Sequence, residues 1–432
     1  MEKRKVIIIE CKSSSINYID DCRKMGFEPV AMELYVPEDK RAKSRAEHDD
    51  AYRIMDVKDI PEIIHAPSTY EETLEMVKDL NPAAIIPGQD VAVNLATHMA
   101  NDLGLPGNDP ELLKIFRDKD LCQEALAKNG VRAIQGRLVH SAEEALDFYR
   151  EIGQRPVVVK PNSGAGSLGV YICNNEEQIV EGFNINATGV NFTTAGSEEI
   201  LIQEYIDGVE YIVNTVSYKG VHKVTGILVC TKTLVPGKAR IYDTEETVDL
   251  NSQIVKDIVD YIFKVDDAIG VQIGPVHSEV MVDDRGPVLI ESNFRPCGAN
   301  MRGPWVEKVF GNRETDISLL SYLDPEKFLA DKRDVLIDGK YQGILKFLQL
   351  EKELKVQKPL LHEKLKDLPG YEYSQDKGSN KTYPVTIDLK TSGGTVAFAS
   401  PDFETIMDSA NKIREIEKNN IESLFLLDGK EV

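Results

Sequence analysis

Five polar side chains alternate along two short stretches of this chain: His277 and Glu279 in His277-Ser278-Glu279-Val280-Met281-Val282, and Glu291, Asn293 and Arg295 in Pro287-Val288-Leu289-Ile290-Glu291-Ser292-Asn293-Phe294-Arg295. Between them lies Asp283-Asp284-Arg285-Gly286, a polar turn ending in glycine, so the pair reads as a β-hairpin. Side chains along a strand alternate between faces. Glu291, Asn293 and Arg295 therefore share one face of the second strand, as His277 and Glu279 do on the first. Where the two faces coincide, two carboxylates, an amide oxygen and a guanidinium converge. Hard oxygen ligands of that kind suit Mg²⁺ carrying nucleotide phosphates. An Arg beside them suits a phosphoryl group gaining charge. The bland alternative is a surface hairpin with one polar face.

Two further stretches bear on that choice. Val157-Val158-Val159-Lys160-Pro161 is a strand ending in a lysine, followed by Asn162-Ser163-Gly164-Ala165-Gly166-Ser167-Leu168-Gly169. Gly164, Gly166 and Gly169 spell GxGxxG, but the apolar run Val170-Tyr171-Ile172-Cys173 follows where a dinucleotide-binding fold would need a helix. Strand–loop–strand instead makes a flap whose backbone N–H groups close over phosphates. No Gly-Lys-Ser/Thr ending is present, which excludes a P-loop. Lys160 beside the flap is a point charge within reach of a phosphate. Ile200-Leu201-Ile202-Gln203-Glu204-Tyr205-Ile206-Asp207-Gly208-Val209-Glu210 is an apolar strand running into a polar connector, where backbone groups can meet an adenine edge and a carboxylate can accept from ribose hydroxyls.

Composition narrows the field. The six cysteines are scattered with no CxxC pair, so reduced thiols and a cytoplasmic setting are expected rather than a disulfide or metal framework. A net charge of −21 disfavours nucleic acid or an anionic membrane as partner. Any nucleotide site must gather local cations and N–H groups against that field. No apolar run spans a bilayer, and Val6–Ile9 after a basic start reads as a first strand, not a signal peptide.

With 432 residues, the chain is long enough for several domains. Strands at Lys5–Ile9, Pro29–Leu34 and Ala83–Pro87 alternate with helices at Ile16–Met25 and Tyr70–Leu80, which predicts a parallel sheet over residues 1–108. Cys11-Lys12-Ser13-Ser14-Ser15 after the first strand lacks the glycines of a dinucleotide site. Two linking helices are expected over 109–135, a smaller α/β piece over 136–205, strands with the hairpin over 206–325, and a mixed segment over 326–432 ending in a charged helix, Phe403–Lys418.

The order of these parts resembles the ATP-grasp superfamily: a helix with Asp118-Lys119, a strand-Lys-Pro with glycine-rich flap, a Gln-Glu-Tyr-Ile-x-Gly-x-Glu hinge, a Glu-bearing strand, then Glu-x-Asn-x-Arg. The resemblance covers roughly residues 1–330. It implies an α/β chain of ATP-grasp fold: an N-terminal parallel α/β domain (1–108), linking helices (109–135), a small α+β lid (136–205), an antiparallel core with the metal site (206–325), and a C-terminal α+β subdomain (326–432). It also implies roles. Lys119 and Lys160 hold nucleotide phosphates, and Ser163, Gly164, Gly166, Ser167 and Gly169 cover them. Glu204, Tyr205 and Ile206 read adenine, Glu210 the ribose. Glu279, Glu291 and Asn293 coordinate two Mg²⁺, with Mn²⁺ as a substitute, and Arg295 faces the transferred phosphoryl group. Arg240 is a phosphate or substrate contact. His277 touches the amino acid, serves as a base, or simply orients Glu279. Gly298, Ala299 and Arg302 line the substrate pocket, where Arg302 is suited to clamp a carboxylate. Trp305 is a pocket wall or, by preference, core.

Within the superfamily, His277-x-Glu279 and Glu291-Ser-Asn-Phe-Arg295-Pro-Cys-Gly298 look most like the L-amino acid ligases. That likeness implies ATP-dependent amide formation between small amino-acid or related substrates through an acyl phosphate, and a homodimer. A carboxylase or purine-synthesis ligase is the alternative, but a ribotide phosphate would want a Lys/Arg cluster that the sequence does not offer. A catalytically silent nucleotide-binding module is the third reading, weakened by the intact Glu279, Glu291, Asn293 and Arg295.

Overall fold

The computed structural model describes residues 3–162, 169–188, 199–234 and 240–428. Its first layer is a parallel sheet in the order Glu62–His65, Glu28–Glu33, Lys5–Ile9, Pro82–Pro87. Val6, Ile7, Ile8 and Ile9 are all fully buried, as expected of a strand covered on both faces. The helix expected at Ile16–Met25 begins as a 3₁₀ turn, Ser13–Asn17, and becomes α-helical over Tyr18–Lys24. Sequence pattern did not reveal the helix Arg41–Ile54 or the edge strand Glu62–His65. That helix buries only His48 and Tyr52 among charged neighbours, and the strand buries nothing fully, so neither carries an apolar period.

A second, four-stranded antiparallel sheet runs Gly136–Val139, Ile200–Glu204, Val157–Pro161, Tyr171–Cys173. Helices Ala142–Glu151 and Glu176–Thr188 share a core with it, built on Val139, Phe148, Val157, Ile179 and Ile202.

The centre of the molecule is an eight-stranded sheet: Gly286–Asn293, Ile273–Asp283, Val209–Tyr218, Val221–Leu234, Arg240–Thr247, Gln342–Phe347, Thr395–Ser400, Tyr371–Gln375. Its last three strands come from beyond residue 326, so the sheet runs on through the boundary drawn there from sequence. A separate three-stranded sheet, Lys381–Tyr383, Leu354–Pro359 and Phe425–Leu427, closes the C-terminal end. The charged terminal helix spans Phe403–Asn420 and buries Ile406, Ala410 and Ile413.

One helix supports the hairpin from behind. Gln253–Ile269 starts on Ser252, whose hydroxyl accepts from the Val255 N–H, and stops at Gly270 in the left-handed region, φ +82°. Its Tyr261 hydroxyl donates to the Arg132 carbonyl at 2.7 Å and accepts from the Leu289 N–H at 2.8 Å, fixing the hairpin's second strand against the linking helices. Among the described residues, no helix is long and apolar enough to cross a membrane.

Candidate active site

The hairpin brings the sequence-predicted acids face to face. Ile273–Asp283 and Gly286–Asn293 pair antiparallel with Glu279 opposite Glu291 and His277 opposite Asn293. A bulge follows Glu279, which lets both carboxylates stay on one face while the register shifts by one residue beyond them. The strand ends at Asn293, however. Arg295 does not reach the cleft by continuing the alternation expected for Glu291, Asn293 and Arg295; it stands in a bend past the strand end.

The lysines converge on the same place. Lys119 opens the helix Lys119–Lys128 and gives its Nζ to Glu291 Oε1 at 3.4 Å. Asn162, after the Lys160 strand, receives the Asp120 N–H on its Oδ1 at 3.1 Å and donates to the Asp120 carboxylate at 2.8 Å, so lid and linking helix are locked together. Lys160 is 7% exposed, and among the described residues no carboxylate pairs with its ammonium. Burial and the Lys119 charge lower its pKa to about 8, against the opposing pull of Glu291 and Glu279. Glu279 faces Glu291 across the hairpin and is half-buried. Burial, then the charges of Glu291 and Glu210, push its pKa up to about 7. A crowded carboxylate pair thus stands beside a buried ammonium in one place.

No group of three or more His, Cys, Asp or Glu among the described residues forms a closed metal cluster. Two carboxylates and an amide oxygen fit Mg²⁺, which keeps most of its shell for water and phosphate oxygens. The crowding that raises Glu279 is what divalent cations would relieve.

Arg295 is anchored from the other side of the cleft. Asp90, at the carboxyl end of Pro82–Pro87, takes its Nε at 3.1 Å and Nη2 at 2.9 Å, while Nη1 donates to the Pro296 carbonyl at 2.9 Å. A guanidinium has five N–H donors, so one remains on each terminal nitrogen. Sequence reading missed Asp90. The signal lay in its position, just past the carboxyl end of a parallel strand, where such sheets place ligand-facing loops. Asp90, Lys119, Gln123, Glu291 and Asn293 border a cavity of about 180 Å³.

His277 is buried, with Nδ1 2.9 Å from Asn214 Oδ1. Donation to that oxygen leaves Nε2 as the acceptor nitrogen. Burial, then Arg295, drive its pKa well below the ordinary histidine value, so the ring is neutral.

At the hinge, Glu204 is 5% exposed, and its carboxylate accepts from the Gln135 N–H at 3.2 Å and from Arg285 Nη1 at 3.1 Å. Tyr205 N–H bonds the Pro156 carbonyl. Ile206 joins Ile134 and Val288 in a small apolar cluster flanked by Met281 and Ile290. Glu210 is held by Lys232 Nζ at 2.6 Å and by the Tyr242 hydroxyl. Gly169 follows the flap with φ +77°; Ser163, Gly164, Gly166 and Ser167 lie outside the described residues. Arg240 is described by its backbone alone, as the first residue of Arg240–Thr247.

The segment after Arg295 is pinned to the N-terminal sheet. Ser14 Oγ donates to the Gly298 carbonyl and accepts from Met301 N–H, Ser13 Oγ accepts from Asn300 N–H, and Asn17 bonds both Met301 and Gly303. Those contacts hold Ala299 and Asn300 at φ +59° and +52°, a left-handed bend that non-glycine residues seldom adopt. Arg302 gives Nε and Nη2 to the Ile54 carbonyl at 3.1 and 2.8 Å and lies over the Tyr373 ring. That arrangement ties the segment to the N-terminal layer. Trp305 is 1% exposed and donates to the Phe398 carbonyl at 2.9 Å, so it is core, not pocket wall.

Known proteins resemble this chain in sequence and in fold. Residues 153–302 match the family model described as an ATP-grasp domain. The dapdiamide A synthase of Enterobacter agglomerans is 27% identical over 77% of this chain and 76% of its own length. The alanine–anticapsin ligase of Bacillus subtilis is 26% identical over 56% of this chain, which spans about half (54%) of that relative. Among solved structures, the L-amino acid ligase from Bacillus licheniformis superimposes with a TM-score of 0.71 at 15% identity, covering 96% of this chain and 98% of that one. With residues 153–302 matched and the fold shared end to end, this chain carries an ATP-grasp domain and is similar to ligases of the L-amino acid ligase group.

Proposed function

We propose that the protein joins the carboxylate of one amino acid to the amine of another, using ATP through an acyl phosphate and releasing ADP and phosphate. The observation that carries this reading is the pairing of Glu279 with Glu291 beside Lys119 and the buried Lys160. The names of the relatives, a dapdiamide synthase and an alanine–anticapsin ligase, support amide formation between amino-acid-like substrates.

In this reading the adenine lies against the apolar cluster of Ile134, Ile206, Met281, Val288 and Ile290, with backbone at Tyr205 and Ile206 reading its edge. Glu204 braces the hinge through Arg285, and Glu210 accepts from the ribose. Lys119, Lys160, Arg240 and the 163–169 flap hold the phosphates and keep water from the intermediate. Two Mg²⁺ on Glu279, Glu291 and Asn293, replaceable by Mn²⁺, would neutralise the charge on the β- and γ-phosphoryl oxygens. Arg295, held in plane by Asp90, directs its two remaining N–H groups at the transferred phosphoryl and later at the tetrahedral oxyanion. Neutral His277 offers Nε2 to the incoming amine, which must lose a proton as the amide forms. Gly298, Ala299 and Arg302 border the amino-acid pocket.

A coupled ADP-release screen over all pairs of L-amino acids tests the proposal. Turnover that requires two amino acids and yields a dipeptide supports it. Turnover that instead requires bicarbonate, or no nucleotide cleavage with any pair, sinks it.

A further inference from the structure

Glu245 has no part in the reaction described above, yet it lies on the same face of the central sheet. It is directly opposite Cys230, which is opposite Glu210, and opposed residues of neighbouring antiparallel strands project to one side. Glu245 thus stands in the row of Glu210, two strands over, roughly 10 Å away at the backbone. It is 2% exposed, and its Oε2 has no hydrogen-bond partner. Burying an acceptor unmet is costly, and a partner that arrives on the Glu210 side of the sheet would relieve that cost.

The surroundings define that partner. Cys230 and Leu345 stand opposite Glu245 on the two neighbouring strands and belong to one apolar cluster with Cys297 and Tyr373, against which Ala299 packs. The cations of the protein nearby are taken: Lys232 by Glu210, and Arg302 by the Ile54 carbonyl. A hard metal ion would need several oxygen ligands, and of these neighbours only Tyr373 carries a side-chain oxygen, which already accepts from the Arg302 N–H. A single ammonium needs one charged partner and tolerates apolar walls around its carbon frame.

We propose that Glu245 binds the ammonium group of the amino acid whose carboxylate is activated. The inference rests on the ligase reading above. It also fits the chemistry of that reaction. The donor's own amine must stay protonated, or it would compete as the nucleophile; a desolvated carboxylate keeps it so. The acceptor amine, by contrast, must be neutral to attack, and a buried carboxylate would work against it.

The test uses the full-length protein with ATP, Mg²⁺ and hydroxylamine as a universal acceptor, scoring hydroxamate. Donors are offered in matched pairs: L-alanine and propionate, L-leucine and 4-methylpentanoate, L-phenylalanine and 3-phenylpropanoate. Wild type should use an amino acid and reject its des-amino twin. Glu245→Gln should lose at least about tenfold in kcat/KM for the amino acid while the KM for ATP stays within about twofold. The preference for amino acid over twin should shrink with it, a change that partial unfolding cannot imitate because unfolding scales both substrates alike. The proposal is overturned if wild type uses the twins equally well, which leaves the ligase reading standing. It is equally overturned if Glu245→Gln retains both rate and preference, or loses rate with the preference intact. Failure of wild type with every donor overturns the ligase reading itself, and this proposal with it.

Discussion

Lys160 and Glu279 carry opposite charges into one cleft, and each is moved toward its neutral form: the ammonium down to about 8, the carboxyl up to about 7. The convergence of Glu279, Glu291, Lys119 and Lys160 was legible in the chain from residue type, strand period and the order of the motifs. Asp90 was not, since its meaning arises only where a loop from the first sheet meets Arg295. Two substitutions probe these groups. Glu291→Gln should lower nucleotide turnover by about 10³-fold or more while thermal unfolding stays within a few degrees; retained turnover would show that the hairpin is not the cation site. Asp90→Asn keeps the shape but loses the charge that orients the guanidinium. Its kcat should fall about tenfold or more with KM for ATP nearly unchanged, and a change in KM alone would contradict the assigned role.

At the scale of elements, the hairpin and the hinge are one mechanical unit. A Cβ on Gly208 would lie 2.4 Å from the Val282 carbonyl oxygen, so the connector runs against the hairpin with no room for a side chain. Gly208→Ala should push the two apart, costing about 1–3 kcal/mol of stability and raising the KM for ATP more than it lowers kcat; steady-state kinetics at saturating amino acids measures both. Period and punctuation sufficed to find this hairpin, the lid strands and the parallel sheet. They did not suffice for Arg41–Ile54, whose charged sequence hides its helix, nor for the end of the acidic strand at Asn293. Nor did they show that strands beyond residue 326 extend the central sheet, because strand partners distant in sequence leave no local mark. Glu245 was silent for the same reason: an acid in a strand says nothing until the strands on either side are known.

For the whole molecule, the buried acids and the net charge of −21 act in one direction. Burial is the main cause that holds Glu245 and Glu314 at about 8 and Glu279 at about 7, well above the value of about 4.3 for an unfolded glutamate. A carboxyl whose folded pKa is raised favours the folded state fully below its unfolded pKa, and that contribution is lost as pH rises through the folded one. The ligand-free protein should therefore lose Tm steadily from about pH 5 to about pH 8. Glu314→Gln should flatten the slope, and Mg²⁺ with ADP should raise Tm more at the alkaline end than at the acid end. A Tm that climbs over this range would show that these carboxyls are not protonated in the fold. If the clustered acids and lysines serve to phosphorylate a carboxylate, an oxygen atom passes from that carboxylate to phosphate, and isotope transfer reads it. The protein is given ATP, Mg²⁺ and a mixture of L-amino acids labelled with oxygen-18 in their carboxylates, and the released phosphate is analysed by mass spectrometry. One labelled oxygen per phosphate is the predicted result, matched to the amide formed. Amide formation with unlabelled phosphate, or with AMP and pyrophosphate in place of ADP, would contradict it.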